Sequence, residues 1–310
     1  MKRYKDVLLK QYLGDNRRFA DLWNGFAGEE LMRAGELETL GETGLSRDGE
    51  GSPLGKREHD ILKRRNGNGY ACILGMENQE YVDYRMVIRS MGYELEGYER
   101  QMRRLARIHR EKKDCTGEEW LSRMKRKERL EPVAVLVVYL GRNAWDGSRD
   151  LYGMTEMERL PEKWRALVSN YRMNLLDVGR FEHMDRFQTD IRLVFGFLRL
   201  RWDKEKLKTF MEENREGFRR LRGDAYDVIQ AYGSLPGLKE KKEKYRRGEE
   251  EYDMCQAWEE IAAEEREEGR KEERITLIVR MLEKGMKIED VVYYTGFSEN
   301  EVKNLKDGME

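Results

Sequence analysis

Asp60 and the triplet Glu77-Asn78-Gln79 bring two carboxylates and an amide to the ends of two short apolar runs, a pattern that points to metal-assisted chemistry on phosphate. The run Asp60-Ile61-Leu62-Lys63-Arg64 stops at Asn66-Gly67-Asn68-Gly69, and a second run, Tyr70 to Met76, leads into Glu77. Asn-Gly pairs favour positive φ, so the two runs read as a β-hairpin with a slightly extended turn. Side chains alternate along a strand, which puts Cys72, Leu74 and Met76 on one face and Ile73, Glu77 and Gln79 on the other. Two carboxylates gathered by such a hairpin repel each other unless a cation lies between them, and hard oxygen ligands suit Mg2+, with Mn2+ as the alternative. An ion held there lowers the pKa of a bound water and neutralises charge building on a phosphate, as phosphodiester hydrolysis requires. In this reading Asp60 and Glu77 are metal ligands, and Gln79 orients water or a phosphate oxygen through its amide. His59, beside Asp60, reads as a surface or packing histidine.

These residues resemble the PD-(D/E)XK nuclease superfamily, and within it the recombination-promoting nucleases or putative transposases called the Rpn family. The resemblance rests on Asp60 to Arg64, Glu77-Asn78-Gln79, Val82-Asp83-Tyr84-Arg85-Met86 and Arg89, preceded by Phe19-Ala20-Asp21-Leu22-Trp23-Asn24. Downstream it continues through Pro132-Val133 to Tyr139-Leu140-Gly141, Trp145-Asp146-Gly147, Asn174-Leu175-Leu176-Asp177, and Thr189-Asp190-Ile191-Arg192 with Phe195, covering most of residues 1–232. It implies an α/β fold with a PD-(D/E)XK restriction-endonuclease-like core, a mixed central sheet flanked by helices, followed by a helical C-terminal extension. It also implies an Mg-dependent DNA endonuclease linked to recombination or mobile elements. The lysine usual in the superfamily's E-x-K half-motif is Gln79 here, which removes a fixed positive charge near the scissile phosphate. Slow activity is expected, or a cation from elsewhere, such as Lys63 or Arg64. Asp83 and Arg89 match the family pattern, and helix capping and packing would explain them equally. The opening helices are expected to lend an acidic residue, Glu29 or Glu30 being the candidates. The alternative reading is a DNA-binding or oligomerising protein that keeps the nuclease fold with a weak or silent site.

Of the 310 residues 39% are charged, against a usual quarter, which fits long solvated helices. Lys and Arg number 60 and Asp and Glu 61, so the net charge is −1 and no overall field draws the chain to nucleic acid. DNA as a partner then needs a local patch. Arg100, Arg103, Arg104 and Arg107, with Lys125, Arg126 and Lys127, supply one on paper. A solvated helix face, diluted by Glu99, Glu111, Glu118 and Glu119, accounts for the same residues. The three cysteines, Cys72, Cys115 and Cys255, form no CxxC or Cys/His cluster, so neither a structural zinc nor a disulfide framework is indicated and a cytoplasmic setting is simplest. No apolar stretch is long enough to span a bilayer, so no membrane partner is expected.

The elements that must hold the site follow from spacing. Leu8, Leu9, Tyr12, Phe19, Leu22, Trp23 and Phe26 recur at helical steps over residues 4–32, and Gly41 to Gly55 reads as a surface loop. Met86, Met91, Leu95, Tyr98, Met102, Leu105 and Ile108 give one stripe of a helix over 83–112. Pro132 to Leu140 is a strand covered on both faces, and Asn174 to Val178 a further short strand. Helices follow at Phe187–Trp202, Lys204–Glu213 and Asp224–Tyr232. The expected division is a nuclease-like domain over 1–235, a charged helical spacer over 236–274 and a small helical module over 275–310. That module opens its last helix with a Ser298/Glu301 capping box and resembles a helix-turn-helix. DNA reading, a homodimer through these C-terminal helices, or a packed cap are the roles open to it.

Overall fold

Residues 2–40, 61–67, 69–233 and 241–308 are described by a computed structural model, which divides into two units, Met1–Ser234 and Leu235–Glu310. The expected loop over 41–55 lies outside the described residues. The first unit opens with α1 (Lys2–Leu13) and α2 (Asn16–Ala27). Asp15 separates them and caps α2 by accepting from the backbone N–H groups of Arg17 and Arg18, while Gly28 ends it at φ +82°. The sheet strands are β1 (Leu37–Thr39), β2 (Ile61–Gly67), β3 (Tyr70–Gln79), β4 (Val133–Tyr139) and β5 (Asn174–Asp177). They stand in sequence order across one five-stranded sheet. β1, β2 and β3 are antiparallel, whereas β3, β4 and β5 are parallel, so the sheet is mixed. The hairpin is tighter than its sequence suggests: Gly67 pairs with Tyr70, and Gly69 takes φ +81°, where a side chain would be strained.

Parallel pairing of β3 and β4 requires a long crossover, which is α3 (Met86–Lys112) followed by α4 (Gly117–Ser122). Met86, Val87 and Tyr93 of α3 pack with Val135, Val137, Tyr139 and Trp145, on the sheet face that also carries Ile73, Glu77 and Gln79. The helix can sit this close because Gly97 meets the Val133 side chain; a Cβ there would lie 2.9 Å from Cγ1. β4 lies between β3 and β5 and is buried along almost its whole length, as its unbroken apolar run implies. The opposite face is covered by α2, where Lys63 Nζ, 1% exposed as a residue, donates to Gly14 O, Asn16 Oδ1 and Thr39 Oγ1 and lies 5.5 Å from the Phe19 ring centroid.

After α5 (Glu162–Arg165) and β5, the unit closes with α6 (Ile191–Leu200), α7 (Lys204–Glu213), α8 (Arg215–Phe218) and α9 (Gly223–Gly233). The helix expected from Phe187 begins only at Ile191. The reason is Asp21, whose carboxylate accepts the backbone N–H groups of Gln188 and Thr189 and the Thr189 hydroxyl, holding the chain in a turn. Next to it Arg18, 3% exposed, makes two 2.7 Å bonds to Asp190 and two more, of 2.5 and 3.0 Å, to Asp224, joining α2 to the starts of α6 and α9. Burial alone would raise the Asp224 carboxyl, but the Arg18 bonds outweigh it and hold the group below the ordinary range.

In the second unit the charged composition predicts helix, yet residues 241–253 hold a single turn at Lys242–Tyr245 and a bridge between Arg246 and Tyr252. Two buried tyrosines decide this. Tyr245 donates its hydroxyl to Glu260 at 2.9 Å, and its carbonyl accepts the Asp253 N–H, so the helix starts only after Asp253 caps it through Gln256 N. α10 (Met254–Glu283) then runs unbroken through the expected junction at 274/275. α11 (Ile288–Thr295) and α12 (Glu299–Asp307) fold onto its end around Ile278, Val291 and Val302, with Gly285 and Gly296 at positive φ and the Ser298/Glu301 capping box formed. No helix among the described residues is long and apolar enough to cross a membrane.

Candidate functional site

Glu77 and Gln79 stand at the C-terminal end of β3 on one face, 3.4 Å apart from Gln79 Nε2 to Glu77 Oε1. Asp60 and His59 lie outside the described residues; Ile61, which follows them, pairs with Met76. Glu77 is only 5% exposed at the floor of a cleft of about 910 Å3 lined by Asp6, Gln79, Glu80, Asp83, Arg85 and Arg89 among others. A carboxylate so placed needs compensating charge and hydrogen bonds. α3 brings both: Arg89 Nη2 donates to Glu77 Oε1 at 2.7 Å, and the Tyr93 hydroxyl donates to the same oxygen at 2.9 Å. The two donors are four residues apart on one helical face, and Arg89 Nη2 also donates to Tyr93 OH at 2.7 Å. The other terminal nitrogen, Nη1, reaches Asp83 Oδ2 at 2.9 Å. One guanidinium thus bridges two carboxylates of the cleft lining.

The electrostatics follow from this bridge. Burial alone would raise Asp83, but hydrogen bonds from Arg85 and Arg89 bring its carboxyl down to about 2. Burial, together with the Glu77 charge, pushes the Tyr93 hydroxyl up to about 12, so it remains a donor. Arg89 is held in its charged form, its bonds to Tyr93 and Asp83 outweighing partial burial. Oxygen-bearing side chains of the kind hard divalent cations take line the cleft, from Asp6, Glu77, Gln79, Glu80 and Asp83, but among the described residues its carboxylates form no group of three with ligand atoms within 4.8 Å of one another.

Several sequence expectations change here. Lys63 and Arg64 are not the missing cation: Lys63 points under α2, and Arg64 Nε pairs with Glu131 Oε2 at 2.8 Å on the other side of the strand. Strand alternation turns Lys63 to the face opposite Glu77, whereas Arg64, level with Ile73 on the Glu77 face, stands four residues short of Glu77 along the sheet and is taken up by Glu131. Arg89 is the cation at Glu77. Nor do Glu29 and Glu30 reach the cleft; they line a separate depression, and Glu30 pairs with Arg33 at 2.7 Å. The acidic residue from the opening helices is Asp6 of α1, whose Oδ1 accepts from Asn78 Nδ2 at 3.5 Å and whose Oδ2 pairs with Lys10 at 3.1 Å. Nothing in the sequence marks Asp6, because an acid on an amphipathic helix is ordinary.

The basic stretch is partly self-neutralised. Arg100 and Arg103 pair with Glu96 at 2.8 and 2.9 Å, and Lys125 Nζ with Asp114 at 2.5 Å. Arg104, Arg107, Arg126 and Lys127 are exposed. At 1.5 Å per residue, Arg104 and Arg107 stand about 22–27 Å along α3 from Arg89, so the structure does not bring them to the cleft.

Cys115, unclustered in sequence, lies beside a histidine in space. Lys113 at φ 50° turns the chain back after α3, and His109, Asp114 and Cys115 then offer ligand atoms within 4.8 Å of one another. Both histidine nitrogens are engaged, Nδ1 with Asp114 at 2.7 Å and Nε2 with Glu128 at 2.8 Å. These bonds raise the His109 pKa, since both carboxylates favour the charged ring. With Lys125 on the second Asp114 oxygen, the two carboxylates of the cluster balance Lys125 and a protonated His109. The cluster ties the end of α3 to the segment that leads into β4.

Residues 5–224 match the model of a protein family described as putative transposase, YhgA-like. No curated protein and no solved structure matches the chain.

Proposed function

The chain belongs to the family of YhgA-like putative transposases, which ties it to mobile elements, and on that premise we propose that it is a metal-dependent DNA endonuclease built on a PD-(D/E)XK-type core, with Asp60, Glu77 and Gln79 as its catalytic residues. The observation that carries this reading is Glu77, a buried carboxylate at the C-terminal end of the central strand of a mixed sheet, opening with Gln79 into an oxygen-lined cleft. Asp60 and Glu77 would hold Mg2+ or Mn2+, which when bound supplies activation of water and neutralisation of charge on the phosphate. Arg89 and Tyr93 fix the Glu77 carboxylate by two hydrogen bonds to one oxygen. Gln79 donates through its amide nitrogen to a phosphate oxygen or accepts from the attacking water through its carbonyl. Arg89 supplies a fixed positive charge beside the site, the electrostatic part that Gln79 lacks relative to lysine.

Cleavage of supercoiled plasmid by the purified chain tests the reading, with Mg2+, Mn2+ or EDTA and alongside Asp60→Ala and Glu77→Gln. Metal-dependent nicking lost in both folded variants is the expected result. A folded wild-type protein that leaves plasmid intact under both metals would overturn it in favour of a DNA-binding protein with a silent site.

A further inference from the structure

Just past β4 and β5 the chain carries Leu140-Gly141-Arg142 and Val178-Gly179-Arg180, and these meet Arg199, Arg201 and Trp202 at the end of α6 around a pocket of about 260 Å3. Arg142, Arg180, Arg199 and Arg201 line it, and no acidic side chain does. Elsewhere in the unit Arg18, Arg64, Arg65 and Arg89 each pair with a carboxylate. Three of the pocket arginines are tied instead to backbone carbonyls. Arg180 Nη1 donates to Arg142 O at 3.0 Å, Arg199 Nη1 to Phe181 O at 3.0 Å, and Arg201 Nη2 to Leu140 O at 2.7 Å. Trp202 braces two of them, with the Arg142 and Arg201 guanidinium carbons 5.2 and 4.9 Å from its ring centroid. Arg201 Nε is shielded from solvent and has no hydrogen-bond partner among the described residues. Burial pushes the Arg201 guanidinium down, and Glu80 offsets this only in part. Guanidinium charge partly withdrawn from water, as at Arg201, is costly without a close anion, and several guanidinium groups gathered at one pocket match the oxygens of a phosphate.

The pocket continues the acidic cleft. A single residue separates the two: Leu140 N–H donates to Gln79 O at 2.8 Å, and Leu140 O accepts from Arg201. Tyr232 lines the cleft while its ring lies 5.8 Å from the Arg201 guanidinium carbon. We propose that this arginine pocket holds a backbone phosphate of a nucleic-acid strand, next to the phosphodiester presented to Glu77 and Gln79. The position next to the scissile bond rests on the nuclease reading; the affinity for a strand phosphate does not. Division of labour results, with the acidic cleft free for chemistry and the arginines holding the strand.

The test is fluorescence anisotropy of a labelled DNA duplex with the full chain in EDTA, where cleavage plays no part, over a series of salt concentrations. Wild type is compared with Arg142→Ala/Arg180→Ala, both exposed positions, and with the charge-keeping Arg142→Lys/Arg180→Lys. The alanine pair should raise Kd about tenfold or more and reduce the slope of log Kd against log salt by about 1–2, whereas the lysine pair keeps most of the slope. Arg104→Ala/Arg107→Ala should change both much less. Unchanged Kd and slope in the alanine pair, or no duplex binding by wild type at low salt, overturns the proposal. So does loss of inorganic phosphate binding, read by calorimetry, with duplex affinity intact, since that marks a small-anion pocket. Should the alanine pair lose its cooperative melt, Arg180→Ala alone carries the same comparison. Plasmid cleavage in Mg2+ separates the two readings: arginine-dependent binding without cleavage leaves the pocket standing and removes the nuclease, and cleavage with arginine-independent binding does the reverse.

Discussion

Arg89 directs its two terminal nitrogens at different carboxylates, Glu77 and Asp83, and the stability of the cleft turns on that one side chain. Arg89→Met leaves Glu77, 5% exposed, short of its cation, and should destabilise the chain by about 2–4 kcal/mol, read as a lower urea midpoint. Arg89→Lys should recover only part, because an ammonium cannot reach both acids in a planar fork; a midpoint unmoved by the methionine variant would refute the bridge. Asp83 adds a pH signature. Its carboxyl is lowered to about 2 from an unfolded value near 3.9, so its contribution is complete above the unfolded value and disappears as pH falls through the folded one. The stability gap between wild type and Asp83→Asn should therefore hold steady above about pH 5 and close as pH falls towards 2. Glu77 and Gln79 were legible because strand alternation is local. Arg89 was marked only by its match to the family pattern, with its partner unspecified, and Tyr93 and Asp6 were not marked at all: they arrive through a crossover helix and the first helix, and no spacing in the sequence records either approach.

α3 carries Arg89 and Tyr93, so its seat on β4 sets where they point. Gly97→Ala would press a methyl against Val133 and should cost about 1–3 kcal/mol while weakening any cleavage, measurable by thermal melting and nicking rate. At its far end the His109 cluster should act as a pH-sensitive tie. His109 faces Asp114, Glu128, Lys125 and Cys115. Its pKa is raised by the bonds to Asp114 and Glu128, so the stabilisation is complete below the ordinary value near 6.5 and is lost as pH rises through the folded one. Amide exchange, corrected for intrinsic pH dependence, should show residues 114–131 less protected at pH 9 than at pH 6, and His109→Gln should remove the difference. Helices and strands with a regular apolar period, such as α3 and β4, could be read before folding. The turn over 241–253 could not, since its lysines and glutamates favour helix and only the burial of Tyr245 and Tyr252 overrules them.

At the scale of the whole chain, 60 basic and 61 acidic residues leave little long-range field, and nucleic-acid affinity must come from local charge. If the four pocket arginines are the main phosphate contacts, log Kd against log salt should have a slope no steeper than about 4, and a much steeper slope would show a wider basic surface in use. Most of the order of strands and helices in the first unit was visible in the sequence, because it follows from composition and period. The arginine pocket was not, because its residues come from the ends of β4, β5 and α6 and carry no shared spacing.

The guanidinium that joins Glu77 to Asp83 also means that this cleft is a finished piece of protein before any cation arrives. Sites assembled from bare carboxylates rely on the ion to hold them together, and chelators unfold many small domains of that kind. Here the chelator should silence without loosening. Melting curves in EDTA and in Mg2+ should differ by no more than the mass-action increment of a weakly bound ligand, and activity lost to EDTA should return at once when the metal is restored, with no refolding lag.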